Sequence, residues 1–191
     1  SNPTLLWEYR PHGRSPADFG PVVTNRFGFR DRRCHAQSKA AGIRRVAFVG
    51  DSVTLGIFLP EDDAFVRQFE LELRRRTDRE DVQALNFGVD GYDTEQIHEL
   101  VRTRVLDFDP DLVIYGLCLN DFDSEYASGE KVRYFRRPKS FFLDALRRAT
   151  AAWRMKRSGY HRFVFAQNRE AVAGELAAMR ELLAGQNIPL L

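Results

Sequence analysis

Cysteine is scarce in this sequence: Cys34 and Cys118 are the only two among 191 residues. That excludes a disulfide framework. Cys118 closes an apolar run and reads as a buried free thiol. Long apolar runs are missing too, since no stretch approaches the ~18 apolar residues a membrane-spanning helix needs. Neither sign of charge dominates: 29 Lys and Arg face 27 Asp and Glu, a net charge of +2. Composition therefore demands no acidic partner. The chain opens Ser1-Asn2, with no Met and no signal peptide. Such a start suggests residues left by tag cleavage, so the compartment stays unknown. What remains is ordinary, at 43% hydrophobic and 29% charged residues. That predicts one globular domain with enough chain to bury a sizeable core.

Residues 1–43 are too often punctuated by Pro and Gly for long elements. Trp7, Tyr9, Phe19, Phe27 and Phe29 are interleaved there, which predicts an irregular segment packed on the domain. Its most distinctive piece is Asn25 to Asp31, where Arg30 and Asp31 are expected to form a structural ion pair.

The stretch Arg44 to Gly56 organises the rest. Val46 to Val49 is a short apolar run rich in β-branched residues, and it breaks at Gly50-Asp51-Ser52. A buried strand of a parallel sheet reads this way. The turn after such a strand is where open α/β sheets place their ligands. Ser52 there suits a nucleophile, or it merely caps the following turn. Glu61 to Thr77 reads as a helix, with Phe65, Phe69 and Leu73 on one face and Arg67, Glu70, Arg74 and Arg75 on others. Acids precede it and Arg74 to Arg76 end it, as the helix dipole favours. Val82 to Phe87 is a second strand, ending in the Gly-rich loop Asn86 to Thr94. Asp93 or Thr94 would cap a helix to about Asp107, with Gln96 near the third position and Ile97, Leu100, Val101 and Val105 inward. Leu112 to Leu117 is a third strand, ending in Cys118-Leu119-Asn120-Asp121. Strands alternating with helices predict an α/β domain over 44–191, with a central parallel sheet and right-handed crossovers.

Residues 122–167 differ, as a basic helical insertion and candidate lid. From Lys131 to Arg162 there are eleven Lys and Arg against one acid, Asp144. Lys139 to Arg157 reads as an amphipathic helix with Phe142, Leu146, Ala149 and Trp153 in a stripe. A core-packed helix with a solvated basic face is the preferred expectation, and a membrane-surface helix the alternative. Asn168 to Gln186 is a further helix, with Val172, Leu176, Met179 and Leu183 inward. Ile188 to Leu191 looks like the opening of a fourth strand.

Hydrolysis by a serine needs a nucleophile, a base and donors for the developing oxyanion. The three strand ends offer Ser52, Gly91 and Asn120, while Asp51 would fix the turn. A glycine permits close backbone approach, and an Asn amide is a neutral donor. These blocks resemble the SGNH, or GDSL-type, hydrolase family. Gly50-Asp51-Ser52 matches its first block, Asn86 to Gly91 its second and Asn120-Asp121 its third. The Asn25-to-Asp31 stretch resembles a segment upstream of the first block in some bacterial members. The resemblance implies a flavodoxin-like three-layer α/β/α fold. It also implies Ser52 as nucleophile and an oxyanion hole from Ser52 N–H, Gly91 and Asn120.

Two positions depart from the family pattern. Cys118 stands where the third block usually has Gly. The Asp-x-x-His block that supplies the family's catalytic Asp and His is not in this sequence, whose histidines are His12, His35, His98 and His161. A chain incomplete at its C-terminus is expected from this, in preference to a pseudo-hydrolase. The resulting expectation is a serine esterase or deacylase acting on a lipid or an O-acetylated carbohydrate. The alternatives are an O-acyltransferase on a glycan and a non-catalytic acyl- or glycan-binding module. No metal or organic cofactor is implied. Nucleic acid is not expected as a partner, and the oligomeric state is unknown.

Overall fold

The computed structural model describes residues 2–15, 22–122 and 140–191. Phe19, and the insertion between residues 123 and 139, lie outside the described residues.

Three parallel strands form the sheet: β1 (Arg44–Gly50), β2 (Val82–Gly88) and β3 (Leu112–Gly116), in the order β2-β1-β3. Gly50 pairs in register with Gly88 on one side and Gly116 on the other. All three strands therefore end at one edge. The C-terminal residues extend the sheet beyond β3, since Val113 N–H donates to Pro189 O at 3.0 Å and Leu190 bridges Val113 in parallel.

Alternation along the strands divides the core in two. Val46, Phe48 and Ala84 pack with Val66 and Phe69 of α2 (Phe65–Thr77) on one face. Ala47, Val49, Leu85, Phe87 and Val113 pack on the other with α3 (Thr94–Leu100) and with Met179 and Leu183. The last two belong to the 25-residue helix α5 (Tyr160–Ala184), which follows α4 (Phe141–Ser158). The result is three layers, helix on sheet on helix. Leu5 and Phe29 of the irregular N-terminal segment are buried in this second core.

The chain past α3 keeps winding, as a π-helical turn Val101–Val105 and a 3₁₀ turn Leu106–Phe108. Val101 and Val105 are fully buried there, as their spacing predicted.

Several expectations need correction. The helix expected over 61–77 is two pieces: Glu61–Asp63 is a 3₁₀ turn, and Ala64 is extended before α2 begins. Ala64 is buried and its methyl packs closely over Gly56, which draws the chain out of helical conformation. Phe65 is then left 42% exposed, while Glu70, placed by periodicity on a polar face, is fully buried. Its carboxylate is matched by the guanidinium groups of Arg33, Arg67 and Arg74, and it accepts the Ala84 N–H at 2.7 Å. Helix α5 starts at Tyr160, eight residues before the expected Asn168. The α4 stripe is not core-packed: Phe142 is 76% and Trp153 61% exposed. Among the described residues, helix α4 packs chiefly on α5.

The Arg30–Asp31 ion pair does not form. Asp31 pairs instead with Arg33, with Nε–Oδ1 at 3.0 Å. Arg30 turns the other way, and its buried guanidinium donates to the carbonyls of Leu55 at 2.7 Å, Gly56 at 2.5 Å and Leu59. A planar fork with several donors suits three converging carbonyls better than one carboxylate. Asn25 holds this segment in shape by accepting the N–H groups of Phe27 and Phe29 on Oδ1.

Candidate active site

Helix α1 (Ser52–Leu55) is a single turn lying across the ends of the strands. Its fit explains why each strand ends in glycine. A Cβ at Gly50 would lie 2.2 Å from Thr54 Oγ1, one at Gly116 2.5 Å from the same oxygen, and one at Gly88 2.2 Å from Leu55 N. Gly50 also has φ +156°, a backbone that side-chain-bearing residues rarely adopt.

Asp51, not Ser52, caps this turn: its Oδ1 accepts the Val53 N–H at 2.9 Å. Gly56 closes the other end in the left-handed conformation, φ 76° and ψ 40°. The capping reading of Ser52 is thus filled by its neighbour. Ser52 is half-exposed, and among the described residues no side chain bonds its hydroxyl. As the first helical residue, its N–H has no acceptor within the helix.

Gly91 lies three residues beyond β2 in an exposed turn, with φ +71°. Directly after it, Asp93 and Gln96 form a capping box on α3, with Gln96 N–H donating to Asp93 Oδ1 at 3.0 Å. Asn120 lies on the 3₁₀ turn Leu119–Phe122 that follows β3.

Buried and part-buried polar contacts tie these turns together. Tyr115 O–H donates to Asp121 Oδ2 at 3.0 Å, and Cys118 N–H donates to the same oxygen at 2.8 Å. Thr94 O–H donates to the Asp121 carbonyl at 3.3 Å, joining the start of α3 to the Asn120 turn. The Cys118 thiol also feels the Asp51 carboxylate electrostatically, which sets the same turn beside Ser52's helix. So the three loops carrying Ser52, Gly91 and Asn120 meet at one edge. Cys118 has no left-handed backbone, so a residue other than glycine is tolerated there.

The electrostatics beneath the turns are acidic. Burial first, then the Asp51 and Asp93 carboxylates, push Asp121 up to about 7. Its Oδ1 is buried without a hydrogen-bond partner among the described residues. Burial, then Asp51 and Asp121, push the Cys118 thiol up to about 11, which keeps it protonated. Tyr115 is raised as well, chiefly by burial.

Sequence reasoning missed Arg30, Asp121, Tyr115 and Thr94 as the supports of this site. Asp121 carried a signal as the neighbour of Asn120 in the third block, and Arg30 one as part of the distinctive Asn25-to-Asp31 stretch. The histidines are placed elsewhere. His98 Nδ1 is 2.7 Å from Glu175 Oε2, linking α3 to α5. His35 sits near the start of the strands, pushed down to about 4 by burial and then by Arg33. His12 is held in the N-terminal segment by the Asn25 carbonyl, and His161 lies on α5. Among the described residues no group of His, Cys, Asp and Glu is arranged to hold a metal ion.

Residues 46–177 match the sequence profile of the family described as GDSL-like Lipase/Acylhydrolase. The chain belongs to that family. Among solved structures, similarity extends to AlinE4, an SGNH-hydrolase family esterase, at 21% identity over 52% of this chain and 58% of that one, with TM-score 0.36. The lipase Lip_vut3 from a goat rumen metagenome is 19% identical over 72% of this chain and 56% of its own, with TM-score 0.40. TesA is 15% identical over 69% and 74%, with TM-score 0.40. This GDSL-family chain thus spans little more than half the length of AlinE4 and Lip_vut3. No curated protein matches it.

Proposed function

We propose that the protein is a serine esterase or deacylase that hydrolyses an acyl ester of a lipid or an O-acetylated carbohydrate. Ser52 is the nucleophile. Its own N–H, the Gly91 N–H and the Asn120 amide receive the oxyanion of the tetrahedral intermediate. The observation that carries this reading is the division of labour at the first turn. Asp51 takes the capping bond, and among the described residues no side chain bonds the Ser52 hydroxyl at the strand edge. Val53 and Phe58 near the Ser52 turn, and Leu117 and Leu119 near the Asn120 turn, are exposed apolar side chains that suit the hydrocarbon part of an acyl group.

In this mechanism a histidine removes the Ser52 proton during attack and returns it to the leaving alcohol, and a carboxylate orients that histidine. In this reading the pair follows the last strands of the fold, as the family resemblance implies. That no histidine bonds Ser52 among the described residues favours one other reading, a non-catalytic acyl- or glycan-binding module.

Hydrolysis of p-nitrophenyl acyl esters by the full-length protein separates the two. N120A lowers kcat by about 10²–10³ with little change in KM, as loss of one oxyanion donor does, and S52A removes turnover. Turnover unchanged in both variants would overturn the reading. An ester bound but not hydrolysed by the wild type would establish the binding module instead.

A further inference from the structure

Helix α4 carries its apolar stripe outward. Phe142, Leu146, Ala149 and Trp153 fall within about 60° of one another around the helix, and all four are exposed. Exposed Lys156 and Arg157 border the stripe on its two sides, and the Arg157 guanidinium stands 5.4 Å from the Trp153 ring centroid. The charge is set apart in the same way. Residues 140–169 hold seven Lys and Arg against one Asp, while the whole chain totals only +2, so the rest of the molecule is net acidic.

We infer that this face of α4 docks on an anionic lipid surface. Aromatic and aliphatic side chains enter the boundary between headgroups and acyl chains. Lys156 and Arg157 reach the anionic headgroups while their stems lie along the stripe. The acidic remainder of the molecule is repelled from the same surface, which fixes the orientation. A second copy of this chain is a poorer occupant, because it would bring two cationic borders together without counter-charge. Among the described residues no helix is long and apolar enough to cross a membrane, so α4 lies on the surface.

The docked helix is coupled to the candidate site. Helix α4 packs on α5, and Asn168 Nδ2 of α5 donates to the Phe122 carbonyl at 2.6 Å. Phe165 of α5 stacks near Phe122, with ring centroids 5.0 Å apart. Phe122 ends the turn that carries Asn120. Helix α5 therefore links the docked helix to that turn. The inference does not rest on Ser52 chemistry, and its test reads binding alone.

Co-sedimentation with phosphatidylcholine vesicles, with and without about one-third phosphatidylglycerol, tests it at low salt. The full-length protein is expected to bind the anionic vesicles and to be released at about 1 M salt, where screening reaches ~3 Å. K156E/R157E should lower the partition coefficient at least tenfold, given the usual gain per basic residue at such a surface. W153D should lower it similarly. Circular dichroism should show both variants folded, because the substituted side chains are exposed. Brominated lipid should quench Trp153, whereas Trp7, packed against Tyr92 at 5.3 Å, is shielded. Absence of binding to anionic vesicles would overturn the inference, as would binding unchanged in both variants. So would light scattering that finds a wild-type dimer turned into a monomer by W153D, which would assign the stripe to a second copy.

Discussion

At the scale of single residues, the site depends on supports drawn from distant parts of the chain. Arg30 lies 25 residues before Leu55, yet its guanidinium holds the carbonyls of Leu55 and Gly56 at the end of Ser52's helix. These carbonyls are buried and lose their donor when Arg30 is shortened. R30K supplies one ammonium in place of a planar fork, so it should destabilise the fold by about 3 kcal/mol, the scale of a few buried unsatisfied acceptors. Urea unfolding measures this, and an unchanged midpoint would remove Arg30 from the account. Asp121 makes a pH-dependent contribution. Burial raises it to about 7 in the native state, against about 3.9 in an unfolded chain. The native state thus holds this proton more tightly. The stability it confers is complete below about pH 4 and is lost as pH rises toward 7. D121N has no proton to lose. The wild-type Tm should therefore fall relative to that of D121N between about pH 4 and pH 7, by ~2–4 °C for each kcal/mol involved. A difference that stays constant across this range would contradict the assignment.

At the scale of elements, helix α1 and the strand ends are cut to fit each other. A Cβ added at Gly116 would meet Thr54 Oγ1 at 2.5 Å, and its next neighbour is 3.8 Å away. Thr54 Oγ1 is buried and has no hydrogen-bond partner among the described residues, so removing it breaks none of their bonds. G116A alone should cost about 1–3 kcal/mol through overcrowding. In a T54A background the same change should cost under about 1 kcal/mol. The double-mutant cycle reads this coupling directly, and strict additivity would show that the close approach carries no energy. Gly88 offers no such relief, because its added Cβ would meet the backbone of Leu55.

For the molecule as a whole, the sequence made the sheet and its edge legible, because three apolar runs each end at a glycine and a polar loop. The Asp93–Gln96 capping box and the inward row Ile97, Leu100, Val101 and Val105 were legible for the same local reason. What escaped depends on contacts between segments far apart in sequence. Ala64 leaves the helix because Gly56 lies against it. Glu70 is buried because Arg33, 37 residues earlier, helps to neutralise it. Arg30 bypasses its neighbour for three carbonyls of another loop. Periodicity told that α4 has an apolar face, but periodicity carries no information about what covers it. Of the site, the positions of Ser52, Gly91 and Asn120 at the strand ends could be read, whereas the network under them could not. Intact-mass analysis of the full-length protein after reaction with a fluorophosphonate tests the central claim most directly. The account predicts one adduct per chain, mapped to Ser52 and absent in S52A. No adduct, or an adduct on any other residue, would contradict it.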